Sequence, residues 1–213
     1  MSWKRLALLP LVLASACSMD GGSSGTGITT AEGNVAGIQR DQMMASAVTT
    51  STRTAVEGIQ VVVEGTDAAG ETDSDGRFVA RGTFNGHATL LFRRADDGLM
   101  AGMDINVPAG GTLTLHDVQI DLPQEQALAA SQSVVFDALV SGTDCMRPAI
   151  YLASLQNADG DATYTLHLEN SSLRDRHGNP VACGDVQDGD RVHVQGAAYR
   201  DGTFGAAEVQ VDG

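Results

Sequence analysis

The chain has 213 residues and a formal charge of −14 at pH 7, set by 27 acidic against 13 basic side chains. A surface this acidic repels phosphate backbones and anionic lipid headgroups. We therefore expect no nucleic-acid partner and no electrostatic attachment to membranes. Aromatic residues make up 4% of the chain, glycine is abundant with 25 residues, and short alternating runs recur between turn signals, which favours an all-β fold.

Residues 1–16 have the three parts of a secretory signal peptide. Lys4 and Arg5 form a basic start, Leu6–Leu13 is a short apolar run, and small residues follow it. The apolar run is far shorter than the roughly 18 residues that a membrane-spanning helix needs. We therefore expect export of the chain and cleavage before Cys17. An ordinary secreted protein, cut among the same small residues, is the alternative.

The segment Ala14-Ser-Ala-Cys17 resembles the lipobox of bacterial lipoproteins, in which the cysteine is lipidated with acyl chains such as palmitate. The family usually has Leu, Val or Ile three residues before the cysteine, whereas this chain has Ala14 there and Leu13 one step earlier. The resemblance implies lipidation at Cys17. In such lipoproteins an Asp after the cysteine signals inner-membrane retention. Ser18 occupies that position, so the resemblance implies an outer-membrane lipoprotein facing the periplasm or the cell surface.

The rest of the chain divides by composition into a tether and two regions. Residues 17–32 are rich in Gly and Ser, which is typical of a flexible tether that buries no core. A first β region then spans 33–122 and a second spans 133–213. The connector 123–132 is rich in Gln and Ala, so we expect one short helix or a stiff link there.

Two cysteines, Cys145 and Cys183, remain once Cys17 takes the lipid. A disulfide between them is the default in an oxidising compartment. In the chain-entropy model this bond would stabilise the fold by roughly 4 kcal/mol. Two free thiols or a metal site are the alternatives, although neither cysteine lies in the C-x-x-C arrangement typical of redox and zinc motifs.

The first region contains short strands separated by Asp- and Gly-rich turns. Its clearest pieces are Ile59-Gln-Val-Val-Val-Glu-Gly65, Thr72-Asp-Ser-Asp-Gly-Arg-Phe78 and Leu113-Thr-Leu-His-Asp-Val118. A strand, an Asp-Gly turn and an aromatic that opens the next strand resemble the carboxypeptidase regulatory-like domain. The resemblance implies a transthyretin-like (prealbumin-like) β-sandwich that serves as an adhesive or stabilising module and has no catalytic residues.

The second region ends in a recognisable strand pattern. Thr163-Tyr-Thr-Leu-His-Leu168 alternates as a half-buried strand should. The run 186–196, the turn Asp201-Gly-Thr-Phe204 and the strand Ala207-Glu-Val-Gln-Val211 resemble the end of small OB-like β-barrels of exported bacterial proteins. OB barrels bind oligonucleotides or oligosaccharides on one face, and the acidic charge disfavours the first of these.

Metal binding is a weaker interpretation of three features. His167 and His193 would form a zinc or copper site if they were neighbours across a sheet, and solvent-facing strand residues are the alternative. The acidic residues at 73–75 and 157–161 have partial calcium-loop spacing, and hairpin turns are the alternative. The first cluster has too few acids, and the second has Leu168 where the closing Glu would stand. Scattered methionines, including Met43, suggest copper(I), although methionine more often packs cores.

The sequence predicts a non-catalytic, lipid-anchored envelope protein that acts as a structural or partner-binding module. No nucleophile, H-x-x-x-H or cofactor motif occurs, so we expect no catalytic residues, metal or cofactor. An envelope protein or a glycan is the expected partner. The alternative is a periplasmic metal-ion or glycan-binding protein that uses the OB-like barrel, with His167, His193 and Tyr164 as candidate binding residues. Tyr151 and Tyr199 are further candidates for an aromatic platform.

Overall fold

The computed structural model describes residues 27–39, 55–94, 98–154, 163–168, 171–199 and 201–212. The signal peptide, Cys17, Met43 and the acidic turn at 157–161 lie outside these residues. Within them, no helix is long and apolar enough to cross a membrane. The first strand begins at Thr29, inside the range assigned to the tether from sequence.

The described residues form an all-β fold, which confirms the predicted fold class at this level. The first eight strands are β1 (Thr29–Gln39), β2 (Ile59–Val63), β3 (Ala69–Glu71), β4 (Arg77–Gly82), β5 (Gly86–Arg94), β6 (Gly98–Val107), β7 (Thr112–Asp121) and β8 (Gln126–Leu128). The next six are β9 (Ser131–Asp144), β10 (Ala149–Ser154), β11 (Thr163–His167), β12 (Ser172–Asp175), β13 (Arg191–Ala198) and β14 (Phe204–Asp212). A 3₁₀ turn spans Cys183–Asp185 ahead of β13.

Strands β1 to β8 close into a barrel, here called the eight-strand barrel. The pairings run β1–β4–β3–β2–β5–β6–β8–β7, and β7 pairs in parallel with β1 to complete the circle. Gly33 makes this closure possible, because a Cβ at that position would lie 2.9 Å from the Cβ of Leu115 on β7. Glycine therefore lets the two backbones approach closely.

Strands β9, β10, β11, β14 and β13 close a second circle of pairings, here called the five-strand ring. Neighbours are antiparallel except β11 and β14, which are parallel. Strand β12 pairs in parallel with the later part of β14. The side chains of Phe136, Tyr164 and Phe204 meet in its interior, with ring centroids 5.2 to 6.4 Å apart. Burying each such ring contributes about 1.5–3 kcal/mol.

The barrel and the ring share one continuous hydrophobic core. Strand β7 pairs with β9 from Thr112 opposite Val135 onward, so the sheet runs from one unit into the other. The turn between β6 and β7 also contacts the interior of the ring. A Cβ at Gly111 in this turn would lie 3.0 Å from the Cβ of Phe136, and the backbone of Ala109 hydrogen-bonds to the side chain of Tyr164.

A hairpin takes the place of the helix considered for residues 123–132. Glu125 has a left-handed φ of 51°, and its N–H donates to the carbonyl of Leu122 in a tight turn. Strand β8 then returns antiparallel to β7, with Leu128 opposite Gln119. Pairing with β7 overrides the helical propensity of this segment, because a stretch of about ten residues forms only a marginal helix without tertiary packing.

The predicted disulfide is confirmed. Cys145 and Cys183 are bonded, with their Cα atoms 5.7 Å apart. The bond joins the turn between β9 and β10 to the 3₁₀ turn that precedes β13. Asp144 shapes the first of these turns, since its Oδ1 accepts the N–H groups of Met146 and Arg147 at 3.1 Å each. The disulfide thus ties two turns of the five-strand ring.

Candidate groove at the junction of barrel and ring

Two concave surfaces adjoin at the hairpin that connects β13 to β14. The first is a cavity of about 350 Å³ between β5, β6, β8 and the hairpin. The second is a shallower surface of about 870 Å³ along β13 and β14, beside the end of β11. Gln132 and Tyr199 line both surfaces. We call the two surfaces together the junction groove, since the barrel and the ring both contribute to it.

The hairpin at the centre of the junction groove is fixed by its own hydrogen bonds. The N–H of Tyr199 donates to the carbonyl of Thr203 at 2.9 Å. Asp201 Oδ1 accepts the N–H and the hydroxyl of Thr203 at 3.0 and 2.7 Å. Gly202 lies at φ 87°, a left-handed conformation that glycine adopts without strain. These contacts define the direction in which the hairpin leaves the ring.

Asn106 holds the hairpin against the eight-strand barrel. Its side chain is only 5% exposed, and its Nδ2 donates to the carbonyl of Gly202 at 2.9 Å. A Cβ at Gly202 would lie 2.9 Å from His87 Nε2, so the two units are in close contact here. A buried amide with a satisfied donor is a strong positional constraint, because separating the pair would leave a polar group unpaired.

Tyr199 lies across the next strand and remains half exposed. A Cβ at Gly205 would lie 2.8 Å from the Tyr199 Cζ, so the ring occupies the space that a side chain on β14 would fill. The Tyr199 side chain is nevertheless 48% exposed. Gly205 thus allows the ring to rest on the strand while about half of the Tyr199 residue stays exposed.

The first surface combines planar polar side chains with apolar ones. Thr89 Oγ1 donates to Asp104 Oδ1 at 3.1 Å, and both side chains line the cavity. Gln126 and Gln132 also line the cavity, together with Leu128, which is 48% exposed. Polar and apolar groups contribute about equally to the lining of this cavity, which is therefore more polar than the usual small-molecule site.

The second surface contains His167, Gln195, Asp201 and the exposed side chain of Val135. Hydrogen bonds from Thr203 hold the pKa of Asp201 below its usual range, and the charge of nearby His167 acts in the same direction. Asp201 is therefore an ionised acceptor at neutral pH. Of the binding candidates proposed from sequence, His167 and Tyr199 line the groove.

His193 does not join His167. On β11, His167 is opposite Gly205, which is opposite Ala197 on β13, and His193 lies four residues away from Ala197. That separation is on the order of 13 Å along the strand. The pair therefore does not form the shared metal site considered from sequence, because β14 runs between β11 and β13.

His193 instead belongs to an ion-pair cluster on the face of β9 and β13. Its Nδ1 lies 2.8 Å from Asp137 Oδ1, and Arg191 Nη2 lies 2.9 Å from Asp137 Oδ2. Burial alone would raise the pKa of Asp137, but the hydrogen bonds from His193 and Arg191 outweigh this effect and lower it. This cluster is a structural feature of the ring surface.

Tyr164 is part of the core and does not form an exposed platform. It is 7% exposed, and burial raises the pKa of its hydroxyl. Its alternating strand was correctly identified, but the sequence did not show which face of β11 points inward. Tyr151 is 38% exposed on β10, outside the residues that line the groove. Tyr199 is thus the aromatic candidate that the fold places in a concave surface.

The acidic turn at 73–75 is stabilised by its own backbone. Asp73 Oδ1 accepts the N–H groups of Asp75 and Arg77, each at 2.9 Å, and Gly76 adopts a φ of 73°. These are the contacts of a hairpin turn between β3 and β4. Over the described part of the chain, no group of three or more His, Cys, Asp or Glu side chains is arranged to hold a metal ion.

Comparison of the chain with models of known protein families, with curated proteins and with solved structures finds no match. Asp104, Asn106, Gln126 and Gln132, which sequence analysis did not select, come together in the junction groove only through the packing of the hairpin on the barrel.

Proposed function

We propose that this chain is a non-catalytic, lipid-anchored protein of the bacterial cell envelope that binds a ligand or partner through the junction groove. The observation that carries the proposal is the half-exposed Tyr199 on a hairpin that Asn106 fixes between two concave surfaces. A preorganised aromatic side chain loses little conformational entropy on binding.

The strand pairing of the five-strand ring supports its identification as an OB-like barrel. In chain order its five strands are β9, β10, β11, β13 and β14. Strand β9 pairs with β10, β10 with β11, β11 in parallel with β14, β14 with β13, and β13 with β9. OB barrels bind ligands beside the loop between their fourth and fifth strands. In this chain that loop is the hairpin between β13 and β14, which borders the junction groove. For the eight-strand barrel, a transthyretin-like relationship is part of the same proposal.

The state of the carboxylates supports a binding role over an acid–base role. A general acid at neutral pH needs a raised pKa. Hydrogen bonds lower the pKa of Asp201 and of Asp137. Such carboxylates stay ionised and act as hydrogen-bond acceptors.

The lipid anchor at Cys17 would keep the groove close to a membrane. Fully extended, the residues from Cys17 to Thr29 would reach at most about 40 Å. The acidic chain would be repelled by anionic lipid, so the acyl group is the expected means of attachment. Ser18 after the cysteine favours the outer membrane within the proposed lipoprotein class.

Fractionation of bacteria that express the full chain tests the anchor. We expect the protein in the membrane fraction, with an intact mass that shows a start at Cys17 and added acyl chains. The Cys17→Ser variant should lose the acyl mass, and Ser18→Ala is the matched control that should keep it. A wild-type protein without acyl mass, or a Cys17→Ser variant that still carries it, would refute the lipoprotein proposal.

A further inference from the structure

We propose that the junction groove binds a neutral oligosaccharide, with one sugar ring packed on Tyr199 and further units on either side. This inference rests on the proposed binding function and names the ligand class. It differs from the sites considered from sequence, since it uses surfaces of both the barrel and the ring. Its basis is the combination of an aromatic ring, planar polar side chains and carboxylate acceptors.

Tyr199 offers the apolar contact that a sugar ring needs. One face of a pyranose carries mainly C–H groups, which pack on an aromatic ring. The Tyr199 ring rests over Gly205 and is 48% exposed, so it presents such a surface without rearrangement. Tyrosine also keeps a hydroxyl that hydrogen-bonds at the edge of the contact.

Polar acceptors and donors flank Tyr199 on both sides. Asp104 and Gln126 line the surface on the barrel side, and Gln195 and Asp201 line the surface on the ring side. An ionised carboxylate has about four lone-pair directions. Asp104 and Asp201 each accept hydrogen bonds from one threonine. Lone pairs on both carboxylates therefore remain for sugar hydroxyl donors.

The two surfaces are large enough for several sugar units. Their volumes of about 350 and 870 Å³ lie within the range of about 300–1,000 Å³ that is common for ligand sites. Because Gln132 and Tyr199 line both, a chain of sugars can cross from one to the other. A single sugar would fill only one surface, which is why we infer an oligosaccharide.

Charge and backbone pairing argue against two other ligand classes. Asp104 on one side and Asp201 on the other repel phosphate, sulfate and uronate groups, so an acidic glycan fits less well. A peptide that adds a strand needs free backbone groups. Backbone groups on the groove floor are paired between β5 and β6 and between β13 and β14. The groove therefore offers side chains and little backbone.

Nuclear magnetic resonance of ring-labelled tyrosine tests the proposal directly, because the chain has only 3 tyrosines. The processed protein, in detergent micelles if it is acylated, is titrated with neutral hexasaccharides of glucose, mannose and N-acetylglucosamine. The range extends to about 10 mM, tenfold above a Kd of about 1 mM. We expect saturable shifts of the Tyr199 ring signals with at least one sugar. Signals of the exposed Tyr151 and the buried Tyr164 should stay in place.

Variants locate the binding. Tyr199→Ala should weaken the affinity by at least about tenfold, as for a central aromatic contact, whereas Tyr151→Ala is the matched control that should not change it. Affinity for the Tyr199→Ala protein is read from sugar signals. If this variant does not fold, Gln126→Ala and Tyr199→Phe replace it. The first should weaken binding severalfold, and the second should retain it because the ring remains.

Three outcomes would overturn the oligosaccharide proposal. One is the absence of any Tyr199 shift with all three sugars, and another is an equal shift at Tyr151. The third is a saturable response of Tyr199 to hexa-arginine and not to sugars, which would identify the groove as a site for cationic peptides. In that last case the binding function would stand and only the ligand class would fail. The anchor is judged separately, from the acyl mass at Cys17.

Discussion

In the eight-strand barrel two aromatic rings, Phe78 and Phe92, meet edge-on at 6.0 Å among aliphatic side chains. In the five-strand ring, Phe136, Tyr164 and Phe204 form a three-way contact, and a disulfide joins two of its turns. A smaller closed unit buries less apolar surface for its length. In the ring, large aromatic side chains and a disulfide supply stability that the barrel obtains from the apolar surface buried by its larger number of strands.

The largest difference between the two units should appear when a central aromatic ring is removed. Phe204→Ala should lower the free energy of unfolding by about 3–5 kcal/mol through the cavity it leaves. Phe92→Ala should cost about 1 kcal/mol less, because Phe204 contacts two aromatic rings and Phe92 contacts one. Urea unfolding gives both values, with the exposed Val135→Ala as control. Equal losses at the two positions would contradict the comparison.

Loss of the disulfide should have the next largest effect. The double substitution of Cys145 and Cys183 by serine should reduce the free energy of unfolding by roughly 2–4 kcal/mol, because the unfolded chain gains freedom. Cys17→Ser serves as the control and should leave the unfolding of the described fold unchanged. A double variant as stable as the wild type would show that the ring does not depend on its covalent bond.

The close approach of β1 and β7 gives a smaller, local prediction for the barrel. Gly33→Ala should destabilise the protein by about 1–3 kcal/mol, because its Cβ would lie 2.9 Å from the Cβ of Leu115. Gly184→Ala is a matched control, since a Cβ there has no neighbour within 4 Å. We expect that variant to differ by no more than about 0.5 kcal/mol. Thermal unfolding of both variants decides whether barrel closure needs glycine.

The smallest predicted effect concerns the ion-pair cluster on the ring. Since the pKa of Asp137 is lowered in the folded state, its contribution is present above the unfolded pKa of about 3.9 and is lost as pH falls through the folded value. The side chain is 38% exposed, so solvent screening limits this contribution to below about 1 kcal/mol. Asp137→Asn should therefore be less stable than wild type at pH 7 and equally stable near pH 2. A difference that persists unchanged at pH 2 would contradict this assignment.

Local sequence patterns predicted much of the strand content. The run at 59–65 contains β2 (Ile59–Val63), and the Asp-Gly turn at 73–76 precedes β4. Strand β1 was missed because its glycines interrupt the apolar pattern, and its pairing with β7 depends on residues about 80 positions away. The hairpin at β8 was missed for the same reason, since pairing with β7 outweighs local propensity there.

The site was less predictable than the fold. The disulfide was predicted from the oxidising compartment and the number of cysteines, and this prediction needed no knowledge of the geometry. The histidine pair and the role of Tyr164 depended on sheet register and on which face of β11 is buried, neither of which a single sequence reveals. Tyr199 acquires its position from the long-range hydrogen bond between Asn106 and Gly202, so only the packed structure distinguishes it from the other tyrosines.

The central claim is that the barrel and the ring fold as one body and thereby fix the junction groove. Scanning calorimetry of the disulfide-bonded protein tests it most directly. The shared core and the β7–β9 pairing predict a single transition, with calorimetric and van't Hoff enthalpies in agreement. Asn106→Ala should lower that transition as a whole. Two separate transitions, with Asn106→Ala affecting neither, would show that the units fold independently and would contradict a fixed groove between them.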